Sequence, residues 1–178
     1  MHYLTKPELK RLLTEAYKAN RQHHLALVVS LWHATRVSEL LNIRASEVVD
    51  GHLTIKRLKG SETTRQPVRT DADPLFDASP LLTLAAEAPS PDTKLFPWVR
   101  QRCDQFIRTY GERAGIDPRK CHMHALRHSM AVMLWDHTGG SIGLLQRHLG
   151  HKSASSSLVY LYESDARKAS AAVAEIRL

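Results

Sequence analysis

Residues 124–160 run from His124-Ala125-Leu126-Arg127-His128 through Gly139-Gly140 and Leu149-Gly150-His151 to Tyr160. One short span thus gathers an arginine, several histidines and a tyrosine outside obvious core positions. On a helix, Arg127 lies three residues after His124 and shares its face. Ala131, Met133, Leu134 and Trp135 give the same helix a side to bury, and Gly139-Gly140 ends it. Ser141 caps a shorter helix carrying Ile142, Leu144, Leu145 and Leu149, stopped by Gly150. A fixed guanidinium beside an imidazole suits a phosphate oxygen better than a hydrophobic core. The remaining chain is therefore read for parts that would complete a phosphate-transfer site.

Upstream, Thr5-Lys6-Pro7-Glu8 is a capping-box pattern, and Leu9, Leu12, Leu13 and Ala16 recur at helical spacing to about Asn20. A second helix, from about His23 to Trp32, is apolar on nearly every side and is predicted to be central. His33-Ala34-Thr35 interrupts it, and Arg36 opens a short helix over Val37–Leu41. Asp50-Gly51 between Val48-Val49 and His52–Ile55 predicts a hairpin. A further turn at Lys59–Glu62 leads to a third strand, Thr64–Val68, which Pro67 confines to an edge. Ser79 before Pro80 reads as the N-cap of a helix reaching Glu87. Trp98 to Ala114 reads as a long amphipathic helix stopped by Gly115, and a polar, alanine-rich helix is predicted from about Asp165 to Arg177. The fold class is α+β: a mainly helical single domain, residues 1–178, with a small three-stranded antiparallel sheet.

The 178 residues are 43% apolar, enough for a core, and carry a net charge of +7 with a pI near 9.6. Such a balance favours an anionic partner, nucleic acid first, although many soluble proteins are basic. Cys103 and Cys121 lie far apart, which suits a reducing compartment and no disulfide framework. Cys121-His122-Met123-His124 has no second ligand pair at finger-like spacing, so no metal site is assigned. No apolar run reaches membrane-spanning length and no signal-peptide pattern is present, so the expected location is cytoplasmic, nucleoid-associated.

Two residues outside the first stretch stand out. Arg36 sits at the break between an apolar helix and the next, where an unpaired charge would be costly; its plain structural use is a salt bridge to Glu39. Lys59 sits at a hairpin tip beside Gly60, free to swing toward a bound strand or simply to be solvated.

Thr35-Arg36-Val37-Ser38-Glu39-Leu40, Lys59-Gly60, His124-Ala125-Leu126-Arg127-His128, Leu149-Gly150-His151 and Tyr160 follow in that order. The combination resembles the catalytic domain of the tyrosine site-specific recombinases, the phage integrase family, over about residues 5–162. The resemblance implies that Arg36 and Arg127 clamp the scissile phosphate of double-stranded DNA. It implies that Lys59 protonates the leaving 5′ oxygen, His124 handles the tyrosine's proton and His151 hydrogen-bonds a non-bridging oxygen. Tyr160 is then the nucleophile that forms a 3′-phosphotyrosyl intermediate. The chemistry asks for such residues: guanidiniums stabilise charge on the non-bridging oxygens, and a phenol with pKa near 10 needs cationic neighbours and a base. A covalent ester keeps the bond energy, so neither ATP, a metal nor another cofactor is required.

The family pattern is not matched everywhere. Ala34-Thr35 precede Arg36 where most members have glycine and a bulky apolar residue. Tyr162 competes with Tyr160, although the spacing from His151 favours Tyr160. His128 is read as bracing the site from behind, and Gln146 and Ser157 as structural. Family members usually carry a separate helical domain before the catalytic one, and nothing before Thr5 would form it; an excised fragment and a short recombinase both fit. Assembly as a homo-oligomer, dimer or tetramer, is expected on DNA, with a monomer possible without it, and residues 165–178 are expected to dock on a neighbouring protomer. Competing readings are a non-cleaving DNA-binding regulator of the same fold, a type IB topoisomerase-like activity, and a zinc or helix-turn-helix regulator.

Overall fold

The computed structural model describes residues 2–58, 61–153, 155, 157, 158 and 160. Lys59, Tyr162 and the expected last helix lie outside them. Chain order begins with α1 (Lys6–Ala19), α2 (Arg21–Trp32) and α3 (Val37–Leu40), then β1 (Val48–Val49), β2 (His52–Ile55) and β3 (Thr64–Pro67). It continues with α4 (Pro80–Ala86), α5 (Arg100–Arg113), α6 (Met123–His137) and α7 (Ile142–Leu149). Among the described residues no helix is long and apolar enough to cross a membrane.

α2 is the centre of the helical layer. Every residue from His23 to Leu31 is buried, so the helix has no solvent face and must be enclosed. α1 and α6 enclose it, while α5 backs α1 and α6. α1 presents Leu9, Leu12, Leu13 and Ala16 to this core, and its start is fixed by the reciprocal Thr5–Glu8 capping box. Each such leucine contributes about 1.5–3 kcal/mol by leaving water. The polar groups that α2 carries inward are satisfied locally: His23 Nδ1 lies 2.7 Å from the Tyr110 hydroxyl.

The sheet has the order β1-β2-β3, all antiparallel. Asp50 and Gly51 both take positive φ, +50° and +71°, as the tight hairpin between β1 and β2 requires. Register pairs Leu53 with Gln66 and Ile55 with Thr64, so two polar side chains of β3 stand on the buried face beside two apolar ones of β2. β3 is an edge in the sheet, as Pro67 demands, and α7 packs against it.

Several expected boundaries move for identifiable reasons. α2 begins two residues before His23 because the Asn20 side chain caps it by accepting from the His23 N–H. Ser79 does not cap α4: its backbone is helical and its hydroxyl donates to Asp77 at 2.7 Å. α5 starts at Arg100, leaving Trp98 in the preceding loop, and α6 is capped by the His122 imidazole, which accepts from the Ala125 N–H.

Gly150 ends α7 with φ +69°, and a Cβ there would lie 2.6 Å from the Glu62 carbonyl oxygen and 2.9 Å from Arg57 Cγ. The Glu62 N–H in turn donates to the Gly150 carbonyl at 2.9 Å. The residue thus sets how closely α7 approaches the sheet. Gly150→Ala is expected to cost about 1–3 kcal/mol from strain and displacement, read as a lower urea midpoint; an unchanged midpoint would show that the contact yields freely.

Candidate active site

α2 stops at Trp32, and the chain reverses through Ala34, a buried alanine with φ +48°. The left-handed conformation costs a residue with a Cβ about 1–2 kcal/mol. It also turns the Ala34 carbonyl toward two guanidiniums. Arg127 Nη1 donates to it at 2.5 Å and Arg57 Nη1 at 3.1 Å. Arg127 Nη2 also donates to the Leu149 carbonyl at 3.0 Å, and Arg57 Nη2 to those of His33 at 2.8 Å and His148 at 3.0 Å. The C-terminal ends of α2 and α7, where carbonyls are unpaired and the helix dipoles are negative, are therefore bridged twice by arginine.

Arg36 follows as the N-cap residue of α3 and is about one-third exposed. Its Nη1 meets Glu39 Oε1 at 2.6 Å, while Arg57 Nη1 meets Glu39 Oε2 at 2.9 Å. The buried Glu39 carboxylate also accepts from the backbone N–H groups of Arg36 and Leu58. Burial pulls the Glu39 carboxyl up, but the Arg36 N–H, the Arg57 charge and the two guanidinium hydrogen bonds outweigh it and hold it below the usual range. Glu39 is thus an anion shared by two cations. Burial, then Arg57 and Arg36, lower Arg127 to about 10; among the described residues no carboxylate is paired with it. Three guanidiniums lie beside a single carboxylate that pairs with two of them, so the cluster carries excess positive charge.

Around that cluster the imidazoles are neutral. His151 Nε2 lies 3.1 Å from Arg127 Nη2 and its Nδ1 lies 3.0 Å from the Ser157 hydroxyl. A guanidinium only donates, so Nε2 carries the lone pair and Nδ1 the proton. Burial, then the charges of Arg127, Arg36 and Arg57, push His151 down to about 4. Tyr160 is 3% exposed, and its hydroxyl lies 3.1 Å from His128 Nδ1. His128 is held at about 3 by burial and by His124, His122 and Arg127. Burial raises the Tyr160 phenol, against the pull of Arg127 and Arg36. His124 is exposed and meets His128 edge-on at 4.4 Å between ring centres; partial desolvation, then Arg127, His122 and Arg36, lower it.

Of the residues expected from the sequence, Arg36, His124, Arg127, His151 and Tyr160 come together, with Glu39 and His128 among them. Lys59 and Tyr162 lie outside the described residues. The Arg36–Glu39 salt bridge weighed against a site role does form, but it orients Arg36 within the cluster. The hydrogen bond to the Tyr160 hydroxyl comes from His128 and not from His124. Ser157, read as structural, holds His151. Arg57 was missed. Its signal was parity: Leu53 and Ile55 face inward on β2, and the next inward position is an arginine. The buried His33 and the half-buried His148 beside it were missed as well.

The sequence pattern of the Phage integrase family matches residues 2–167. The tyrosine recombinase XerH of Campylobacter jejuni is 26% identical over 97% of this chain and 52% of its own length. The tyrosine recombinase XerD of Xanthomonas axonopodis pv. citri is 34% identical over 70% of this chain and 45% of its own. The chain thus spans about half the length of these curated relatives. Among solved structures, XerH bound to palindromic difH substrate in a post-cleavage complex superposes with a TM-score of 0.75 at 21% identity, covering 96% of this chain and 52% of that one.

One buried and one half-buried histidine make stability depend on pH. His33 and His148 each fall from 6.5 to about 4, chiefly through burial, with Gln66 opposing at His33 and the Trp32 backbone opposing at His148, and with Arg57 adding to the fall at both. Between about 6.5 and 4 the unfolded chain binds more protons than the folded one, so stability is full above that window and falls as the pH drops through it. The thermal midpoint followed by circular dichroism should already decline between about pH 6.5 and 5, above the range where carboxylates titrate. A flat midpoint there contradicts the burial of these rings.

Proposed function

This chain belongs to the phage integrase family, and we propose that it cuts and rejoins double-stranded DNA at a defined sequence through Tyr160. The observation that carries this reading is the gathering of Arg36, Arg127, His151 and Tyr160 around one cluster with surplus positive charge. A scissile phosphodiester brings one negative charge, and attack on phosphorus places more on the non-bridging oxygens. Guanidiniums already fixed by Glu39, Ala34 and Leu149 meet that charge without reorganising. The Tyr160 oxygen attacks phosphorus, the bond to the 5′ oxygen breaks, and a 3′-phosphotyrosyl ester forms beside a free 5′ hydroxyl. Reversal restores the strand, and the ester conserves the energy for it.

The protons divide between the two sides. His128, neutral and 3.1 Å from the phenol oxygen, is the nearest acceptor for the phenol proton, with His124 behind it. Lys59 is assigned to the leaving 5′ oxygen. His151 donates to a phosphate oxygen only after its Nε2 gains a proton, and an arriving anion, by offsetting the neighbouring arginines, raises the affinity for that proton. The buried phenol must also turn out of its pocket of contacts, so cleavage includes a conformational step at Tyr160. Strand exchange between two duplexes needs four cuts, hence four copies of the chain on DNA, and the net charge of +7 serves the phosphate backbone with a strong salt dependence.

A nicked suicide substrate, which loses its 5′ hydroxyl fragment after cleavage, traps the covalent ester. An adduct is expected with the unaltered chain and with Tyr162→Phe, none with Tyr160→Phe, and Arg127→Ala should slow adduct formation by about 10²–10³. An adduct that persists in Tyr160→Phe removes the assignment, and relaxation of supercoiled plasmid without site preference points to the topoisomerase-like reading.

A further inference from the structure

We propose that Arg57 is a positioning residue of the reaction, fixing the two phosphate-facing arginines relative to each other. The inference rests on the strand-cleavage reading above.

The Arg57 side chain is fully buried, and all its N–H donors are used. Nε donates to Thr64 Oγ1 at 3.2 Å; Nη1 donates to the Ala34 carbonyl at 3.1 Å and Glu39 Oε2 at 2.9 Å. Nη2 donates to the carbonyls of His33 at 2.8 Å and His148 at 3.0 Å. None is left for a ligand. Its acceptors belong to the turn before Arg36, to α3, to β3 and to the last turn of α7, which are the parts that carry Arg36 and His151. A buried ion pair is often no more stabilising than apolar residues of the same volume, so filling the core does not by itself call for a guanidinium here. A planar fork that joins fixed carbonyls to one carboxylate does.

Two routes lead from Arg57 to the phosphate-facing side. It shares the Glu39 carboxylate with Arg36, so Arg36 is held by an anion whose other oxygen Arg57 pins. It shares the Ala34 carbonyl with Arg127, so the anchor of Arg127 is held as well. Leu58 and Glu62 are tied to the same frame, through the Leu58 N–H to Glu39 and the Glu62 N–H to the Gly150 carbonyl. Without the fork, Glu39 keeps Arg36 and its two backbone N–H donors but loses the buried cation that pins Oε2 to the Ala34 turn and to α7.

The test uses the full chain with Arg57→Lys, Arg36→Lys and the double variant, in single-turnover cleavage of the suicide substrate. Arg57→Lys is expected to slow cleavage by about 10- to 100-fold, the scale of a small misplacement of catalytic groups. In the Arg36→Lys background the same change should cost clearly less than in the parent, because part of its effect runs through Arg36 and the rest through Arg127. Losses that multiply, or an Arg57→Lys variant that cleaves like the parent, overturn the proposal. A second readout needs no cleavage: guanidinium resonances of Arg36 and Arg127 in ¹⁵N-edited spectra without DNA should move and lose exchange protection in Arg57→Lys. Unmoved resonances overturn the proposal even if the parent chain does not cleave, an outcome that would separately refute strand cleavage. Where Arg57→Lys does not fold, Arg57→Met, uncharged and similar in length, carries both readouts.

Discussion

Two oxygen acceptors organise this molecule: the carbonyl of Ala34, taken by Arg57 and Arg127, and the carboxylate of Glu39, taken by Arg57 and Arg36. Like charges this close are expensive. At an effective dielectric of about 20, two unit charges roughly 4 Å apart interact by about 4 kcal/mol. One carboxylate and the negative ends of α2 and α7 offset part of that repulsion, and the fold supplies both by ending two helices at the same place. What remains uncompensated is a standing demand for an anion. The left-handed Ala34 is the local cost of aiming the shared carbonyl.

Burial and the same charge set the state of the imidazoles nearby. Burial, with the arginines adding to it at His151 and with His124, His122 and Arg127 adding to it at His128, keeps them neutral, His151 near 4 and His128 near 3. A neutral His128 can receive a proton from Tyr160, and a neutral His151 can serve as an acceptor for Arg127 while the site is empty of phosphate. On the proposed strand-cleavage reading, an incoming phosphodiester adds the missing negative charge and links binding to protonation at one place. On the same reading Tyr160 adds a second link, because burial raises its phenol while Arg127 and Arg36 pull it down.

Much of this was legible in the sequence. The unbroken apolar run of α2 announced a central helix, Asp50-Gly51 the hairpin, and Pro67 the sheet edge. The ordered boxes at Arg36, Arg127, Leu149–His151 and Tyr160 announced the cluster. What stayed hidden depends on tertiary pairing. Arg57 looks like a solvated strand-end residue until two helix ends close around it, and His33 and His148 look like polar punctuation until α7 lands on β3. Ser79 matched a capping pattern, yet Asp77 competed for its hydroxyl and won. His128 was placed behind the site because residue order cannot say which of two imidazoles on one helix face meets the tyrosine.

The most direct test of the central claim, that three arginines beside a single carboxylate create a place for an oxyanion, is an anomalous difference map from crystals of the DNA-free chain soaked in tungstate. A peak within hydrogen-bonding reach of both Arg36 and Arg127 and beside His151 is expected. Tungstate held elsewhere on the basic surface, with those two arginines bare, would contradict it.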